Sequence, residues 1–164
     1  MQPAAKYLGL HLDQRLTWST NIKTKRQKLN LKLRNMYWLM GRKSKLSLRN
    51  ILLLHKCVLK PVWTYGIQLW GCAKPSHTKI TQRLQSKILR YITNAPWDVS
   101  NFTLHTDLLK PFVTMEINRL SLLYHQPLVG HHNELISAMS NPPTYARRLK
   151  RQWTSELFFP QETD

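Results

Sequence analysis

The sequence predicts a mainly α fold, a bundle of helices behind one short N-terminal β-strand. Two observations carry this. Apolar residues recur at helical spacing along most of the chain, and only one stretch, near the N-terminus, alternates with the period of a strand. The chain has 164 residues of which 42% are hydrophobic, enough for one domain with a modest core.

The strand is Tyr7-Leu8-Gly9-Leu10-His11-Leu12-Asp13, with Leu8, Leu10 and Leu12 on one face. No neighbouring segment reads as a second strand of comparable quality. A lone strand leaves its backbone groups unpaired, so its sheet partners are expected outside this sequence.

Helices follow. Ser19 or Thr20 can cap the first, which should run to about Met40 and stop at Gly41, with Ile22, Leu29, Leu33, Met36 and Met40 on one face. Ser47 should cap the next. Its Leu48, Ile51, Leu52, Leu53, Leu54, Val58 and Leu59 lie nearly all round the wheel, which predicts burial between other helices. Pro61 should kink or interrupt it, because proline lacks an amide hydrogen and its ring clashes with the preceding turn. Beyond the kink, Val62, Trp63, Tyr65, Ile67, Leu69 and Trp70 keep helical spacing until Gly71.

A third helix should span about Ser76 to Thr93, with Ile80, Leu84, Ile88 and Tyr91 as its apolar stripe. Lys79, Arg83, Lys87 and Arg90 form a basic stripe about 100° round the wheel. Asn94 suits the left-handed residue after a helix, and Pro96 follows as a breaker. Weaker helical segments follow over Thr103 to Leu109, Pro111 to about Leu128, Asn133 to Met139 and Tyr145 to Trp153, with a frayed tail from Gln161.

Charge is the strongest compositional signal. Lys and Arg number 25 against 8 Asp and Glu, a net charge of +17, and no acid lies between Gln14 and Trp97. Solvated helix faces normally interleave acids with bases, so a window this free of acids points to a polyanionic partner: RNA, DNA or an RNA–DNA duplex. The residues expected to meet it are Lys23, Lys25, Lys28, Lys32, Arg83, Lys87 and Arg90.

Other chemistry is poorly supported. Two-metal catalysis needs carboxylates that hold ions about 3.5 to 4 Å apart, whereas Asp13 and Asp98 are isolated and Asp107 and Glu116 fall on different predicted helices. His125, His131 and His132 have no acid or cysteine at ligand spacing and read as surface histidines. Cys57 and Cys72 form neither a C-x-x-C pair nor a disulfide framework. No apolar run approaches a spanning helix, so no membrane partner and a nuclear or cytoplasmic location are expected. No catalytic residue, metal ligand or cofactor is assigned to this chain. Trp63, Tyr65 and Trp70 have the geometry either to stack on bases or to pack; their helical spacing favours packing.

Several blocks together resemble the C-terminal part of non-LTR retrotransposon reverse transcriptases, especially the jockey group. They begin with Tyr7-Leu8-Gly9, Leu12-Asp13 and Leu16-Thr17-Trp18. The run Leu59-Lys60-Pro61-Val62-Trp63-Thr64-Tyr65-Gly66 with Gln68-Leu69-Trp70-Gly71 is the most specific. Gln82-Arg83, Gln85-Ser86-Lys87-Ile88-Leu89-Arg90, Ala95-Pro96-Trp97, Asn101, Asp107-Leu108, His132-Asn133-Glu134-Leu135 and Arg148-Leu149-Lys150-Arg151 continue it. Asn21, Asn94 and Asp98 depart from residues common in the family.

The resemblance implies a helical, thumb-like bundle whose strand is left over from a polymerase palm, with Tyr7, Leu8 and Gly9 near the primer grip. It implies four segments: residues 1–18 as the palm edge, 19–97 as a basic thumb-like region, 98–157 as a C-terminal helical region and 158–164 as a tail. Pro61, Trp63, Tyr65, Gly66, Trp70, Pro96 and Trp97 are its structural signature. The partners implied are a template–primer duplex and the palm and fingers of the same polymerase. Mg²⁺ belongs to the intact family, held by Y-x-D-D aspartates that this sequence lacks, so the chain is expected to be inactive alone. No zinc knuckle is seen. The alternative is a domesticated helical adaptor that binds nucleic acid or protein without polymerase activity. Oligomeric state is left open.

Overall fold

The computed structural model describes residues 4–41 and 44–139. The predicted helix at Tyr145 to Trp153, the Arg148–Arg151 block and the tail lie outside the described residues. The rest is mainly α, as expected, with a two-stranded antiparallel sheet at the front.

The sheet corrects the expectation of a single strand lacking its partner. Strand β1 (Ala4–Tyr7) pairs with β2 (Leu10–Asp13), with Ala4 opposite Asp13 and Tyr7 opposite Leu10. The chain reverses at Leu8 and Gly9, whose φ values of 44° and 78° are the positive pair that a tight hairpin turn requires. Glycine takes such a value freely. Leu8 does so under strain, and its carbonyl is braced by the Tyr65 hydroxyl, which donates to it at 2.6 Å. Sequence reading missed β1 because Ala-Ala-Lys-Tyr is mostly exposed and has neither alternation nor β-branched residues.

Helix α1 (Ser19–Asn35) starts from Trp18 in the left-handed region, φ 62°. Neither Ser19 nor Thr20 caps it; Asp13 does the comparable work from the end of β2. One carboxylate oxygen accepts the Trp18 amide at 3.2 Å and the other accepts the Thr17 hydroxyl. Burial works to raise the Asp13 pKa, but hydrogen bonds from Thr17 and Trp18 outweigh it and hold the carboxyl below its usual range. The expected single helix to Met40 is two, because the backbone leaves helical geometry at Met36 before α2 (Tyr37–Met40). A tertiary contact holds α2 there: the Tyr91 hydroxyl donates to the Tyr37 carbonyl at 3.2 Å, and the two rings meet edge to face at 4.9 Å.

Ser47 caps α3 (Leu48–Leu54) as predicted, its hydroxyl accepting the Asn50 amide. A wider π turn over His55–Leu59 then leads into α4 (Lys60–Thr64). Pro61 therefore does not break the rod where it stands. The π turn just before it shifts the hydrogen-bond register and accommodates the missing amide. The break comes at Tyr65, extended at ψ 124°, and Gly66, left-handed at φ 62°, before α5 (Ile67–Trp70). The rod is not buried all round either. Ile51, His55, Leu59 and Trp63 point inward, while Leu48 and Leu53 are exposed.

Helix α6 (Pro75–Thr93) packs against α1, α3, α7 (Asn101–Asp107) and α8 (Val113–His125), and so forms the centre of the bundle. Asn94 ends it in the left-handed conformation, φ 51°, as expected. A short 3₁₀ turn, Gln126–Leu128, and α9 (Glu134–Ala138) complete the described chain. The main core joins Trp18, Ile22, Leu29 and Leu33 to Met40, Leu59, Trp63, Trp70, Leu84, Ile88 and Ile117.

Candidate nucleic-acid interface

The seven basic residues singled out from sequence divide by environment. Lys23, Lys28 and Lys32 on α1, and Arg83 and Lys87 on α6, are exposed. Lys25 is not; it is 8% exposed and sits on the buried stripe of α1 between Ile22 and Leu29. Its Nζ donates to the Trp63 carbonyl at 3.4 Å and to the Tyr65 carbonyl. It also lies 5.1 Å from the centre of the Trp70 ring and 5.7 Å from that of Tyr65. Burial draws its pKa down to about 7, and the charge of Lys28 adds to that. Arg90 is also engaged within the fold: its guanidinium donates to the carbonyls of Pro96 and Val99 and to Asn101 Oδ1, fixing the loop before α7. Both side chains are engaged in holding other elements, Lys25 buried and Arg90 partly exposed.

The aromatic signature gathers around Lys25. Trp63 and Trp70 are core residues, and Trp70 Nε1 donates to the Tyr65 carbonyl at 3.2 Å. Tyr65 is 54% exposed, and its hydroxyl reaches back to the hairpin turn at Leu8. Gly66 is favoured by its positive φ, and an added Cβ would stand 2.9 Å from the Leu10 methyls, which would have to shift. Tyr65 and Gly66 therefore clasp the hairpin onto the helical body. Pro96 is held through its carbonyl, whereas Trp97, expected to be structural, is 91% exposed and outside the core.

This clasp builds a groove. Gly9 and Tyr65 form part of its lining, Lys25, Lys28, Leu31 and Lys32 contribute from α1, and Cys57, Val58, Pro61 and Val62 come from the rod. Gly9, Lys25, Lys28 and Lys32, named separately from sequence, are thus brought together, Lys25 as a buried member, while Arg83 and Lys87 lie on a different helix. Tyr7 and Leu8 project at the exposed tip of the hairpin.

Sequence reasoning missed a polar lock between α6, α7 and α8. Buried His105 stacks on Phe112 at 4.2 Å and donates from Nδ1 to the Lys110 carbonyl at 2.8 Å. Its Nε2 accepts from Gln82 at 3.0 Å, with the Ser86 hydroxyl 3.3 Å away. Gln82 also accepts the Val113 amide at 2.7 Å, and Gln85 donates to the Pro111 carbonyl at 3.1 Å. Buried Glu116 binds Lys60 at 2.7 Å and Arg119 at 2.5 Å. Burial works to raise its pKa, but the hydrogen bonds and charges of Arg119 and Lys60 hold it below the usual range. The Gln82-x-x-Gln85-Ser86 spacing was the available signal, since three polar residues on an otherwise buried helix face need partners.

A probable RNA-directed DNA polymerase from the X-element transposon of Drosophila melanogaster is 47% identical over 156 residues, which cover 94% of this chain. The chain belongs to the jockey-type family of transposon RNA-directed DNA polymerases. A second relative, from transposon BS of the same organism, is 38% identical over 92% of the chain. The polymerase of mobile element jockey from Drosophila funebris is 32% identical over 93%. The chain spans only 17% to 18% of the length of these relatives. No protein-family model and no solved structure matches it.

Among the described residues no group of three His, Cys, Asp or Glu is placed to hold a metal ion. None of the described helices is long and apolar enough to cross a membrane.

Proposed function

We propose that this chain is the thumb-side, C-terminal part of a mobile-element reverse transcriptase, and that it holds the RNA–DNA template–primer without performing the chemistry. The observation that carries this is the exposed basic set Lys23, Lys28, Lys32, Arg83 and Lys87, within a window that contains no acid. Phosphate neutralisation with counterion release needs accessible cations without special geometry, and these side chains meet that need. The groove under the hairpin offers one strand a basic edge beside the apolar side chains of the rod. In the whole polymerase, palm aspartates outside this sequence would hold Mg²⁺. The exposed hairpin tip and the exposed leucines of the rod are suited to meeting the palm and fingers of the same polymerase.

The test is binding of an RNA–DNA hybrid by the purified chain over a salt series, together with primer extension in Mg²⁺. Affinity should fall steeply with salt and no extension should occur. Salt-insensitive binding or no binding would refute the interface, and Mg²⁺-dependent synthesis would refute the division of labour.

A further inference from the structure

Beyond the end of α6, Pro96, Trp97, Asp98 and Val99 form a β-turn, closed by the Val99 amide donating to the Pro96 carbonyl at 3.4 Å. Trp97 and Asp98 occupy its tip, and both are exposed. Among the described residues Trp97 makes no side-chain hydrogen bond and no ring contact, and at 91% exposure its indole stands almost wholly in water. Exposed Trp38, by contrast, donates from Nε1 to the Asn35 carbonyl at 3.1 Å. The backbone beneath Trp97 is tied down on both sides. The Arg90 guanidinium donates to the carbonyls of Pro96 and Val99 and to Asn101 Oδ1, so it grips both ends of the turn. The Ala95 amide donates to the Arg90 carbonyl at 3.1 Å, and Ser100 caps α7 directly after the turn. A ligand that meets the ring therefore need not order the loop first.

The surroundings name the ligand's chemistry. Arg90 belongs to the basic stripe of α6, and that stripe leads to the turn. Lys79, Arg83 and Lys87 are exposed and follow one another at four-residue steps, about 6 Å apart along the helix axis. Lys87 stands three residues before Arg90, on the same side of the helix, so a strand whose phosphates these cations attract arrives beside the turn. Asp98 repels a phosphate from the tip itself. What the turn offers a nucleic acid is thus an open ring next to a phosphate track.

We infer that Trp97 is a stacking platform for one unpaired base of a single-stranded segment whose phosphates run along Lys79, Arg83 and Lys87. This rests on the nucleic-acid reading above and adds that the α6 face receives a single strand, since bases inside a duplex have their faces covered by their neighbours and cannot offer one to an indole. Stacking on an aromatic ring tolerates any base, so the platform reads strandedness and not sequence.

The test measures the whole chain's affinity, at one salt concentration, for a blunt RNA–DNA hybrid, the same hybrid with a single-stranded extension, and the extended hybrid with that extension made abasic. The extended hybrid should bind about tenfold tighter than its abasic form, within the range of one base–aromatic stack. Trp97→Ala should remove that difference and leave binding of the blunt and abasic probes unchanged, with an unaltered melt because the side chain is exposed. Trp97→Phe should keep most of the difference. Equal binding of the extended and abasic probes by the wild type would overturn the platform while leaving the general interface standing. Failure to bind any probe would overturn both. A difference that survives Trp97→Ala would overturn the platform, and so would an equal loss on all three probes, which would mean that the residue acts on charge contacts through the turn. Should Trp97→Ala not fold, Trp97→Phe decides by fluorescence: quenching by the extended probe as large as in the wild type would overturn the assignment, and a reduced quenching supports it.

Discussion

Lys25 and Lys28 stand three residues apart on α1, yet one is buried and the other exposed. Lys25 is buried in the clasp, between two backbone carbonyls and two ring faces, and Lys28 is exposed, although both contribute to the lining of the same groove. Both are lysines in the same acid-free window. Helical phase separates them, because Lys25 falls on the stripe of Ile22, Leu29 and Leu33 and Lys28 does not. A basic residue near a polyanion is thus assigned by what its helix face meets as much as by its sign.

The comparison can be broken in several ways. The largest effect is expected from Lys25→Ala, which strips the Trp63 and Tyr65 carbonyls of a buried donor. It should cost about 3 kcal/mol by chemical denaturation. A destabilisation under about 0.5 kcal/mol would mean that the clasp does not depend on Lys25. Next is Tyr65→Phe, which removes the 2.6 Å hydrogen bond to the Leu8 carbonyl and should cost about 1 kcal/mol. Faster amide exchange in residues 4–13 with little change in the helices would locate that effect in the hairpin.

A pH series sharpens the same contrast. The Lys25 pKa is about 7 when folded and near the ordinary lysine value of 10.5 when unfolded. Between those values the unfolded chain binds more protons, so stability should rise as pH increases from about 7 toward 10.5. Lys25→Met should flatten that rise, and an unchanged slope in the variant would contradict the burial argument. The smallest stability effect belongs to Lys28→Ala combined with Lys32→Ala, within about 0.5 kcal/mol of wild type, as usual for exposed sites. That pair should instead weaken hybrid binding and reduce the magnitude of the salt slope by about 0.9 for each phosphate that is no longer neutralised.

Much of the helical framework was legible from local signals. The Ser47 cap, the left-handed Asn94 and the core stripe of Leu84 and Ile88 all stand as read. The hairpin was not legible, because β1 has no strand-like composition and is held by its partner and by a tyrosine 57 positions along the chain. The position of the rod's break was hidden for a related reason. Pro61 announces a local conflict, but the π turn absorbs it, and the backbone breaks where Tyr65 and Gly66 must reach the hairpin. Of the interface, the exposed cations on α1 and α6 were visible as charge, while the structural duties of Lys25 and Arg90 were not.

The sequence by itself determined the helical class, the family and the basic field, because composition, periodicity and motif spacing are properties of the chain before it folds. Only the tertiary structure decided which lysines face water and which aromatic rings are packed. Those outcomes depend on contacts between residues tens of positions apart, and burial, rather than residue type, sets whether a charge or a polar atom must find a partner inside the fold.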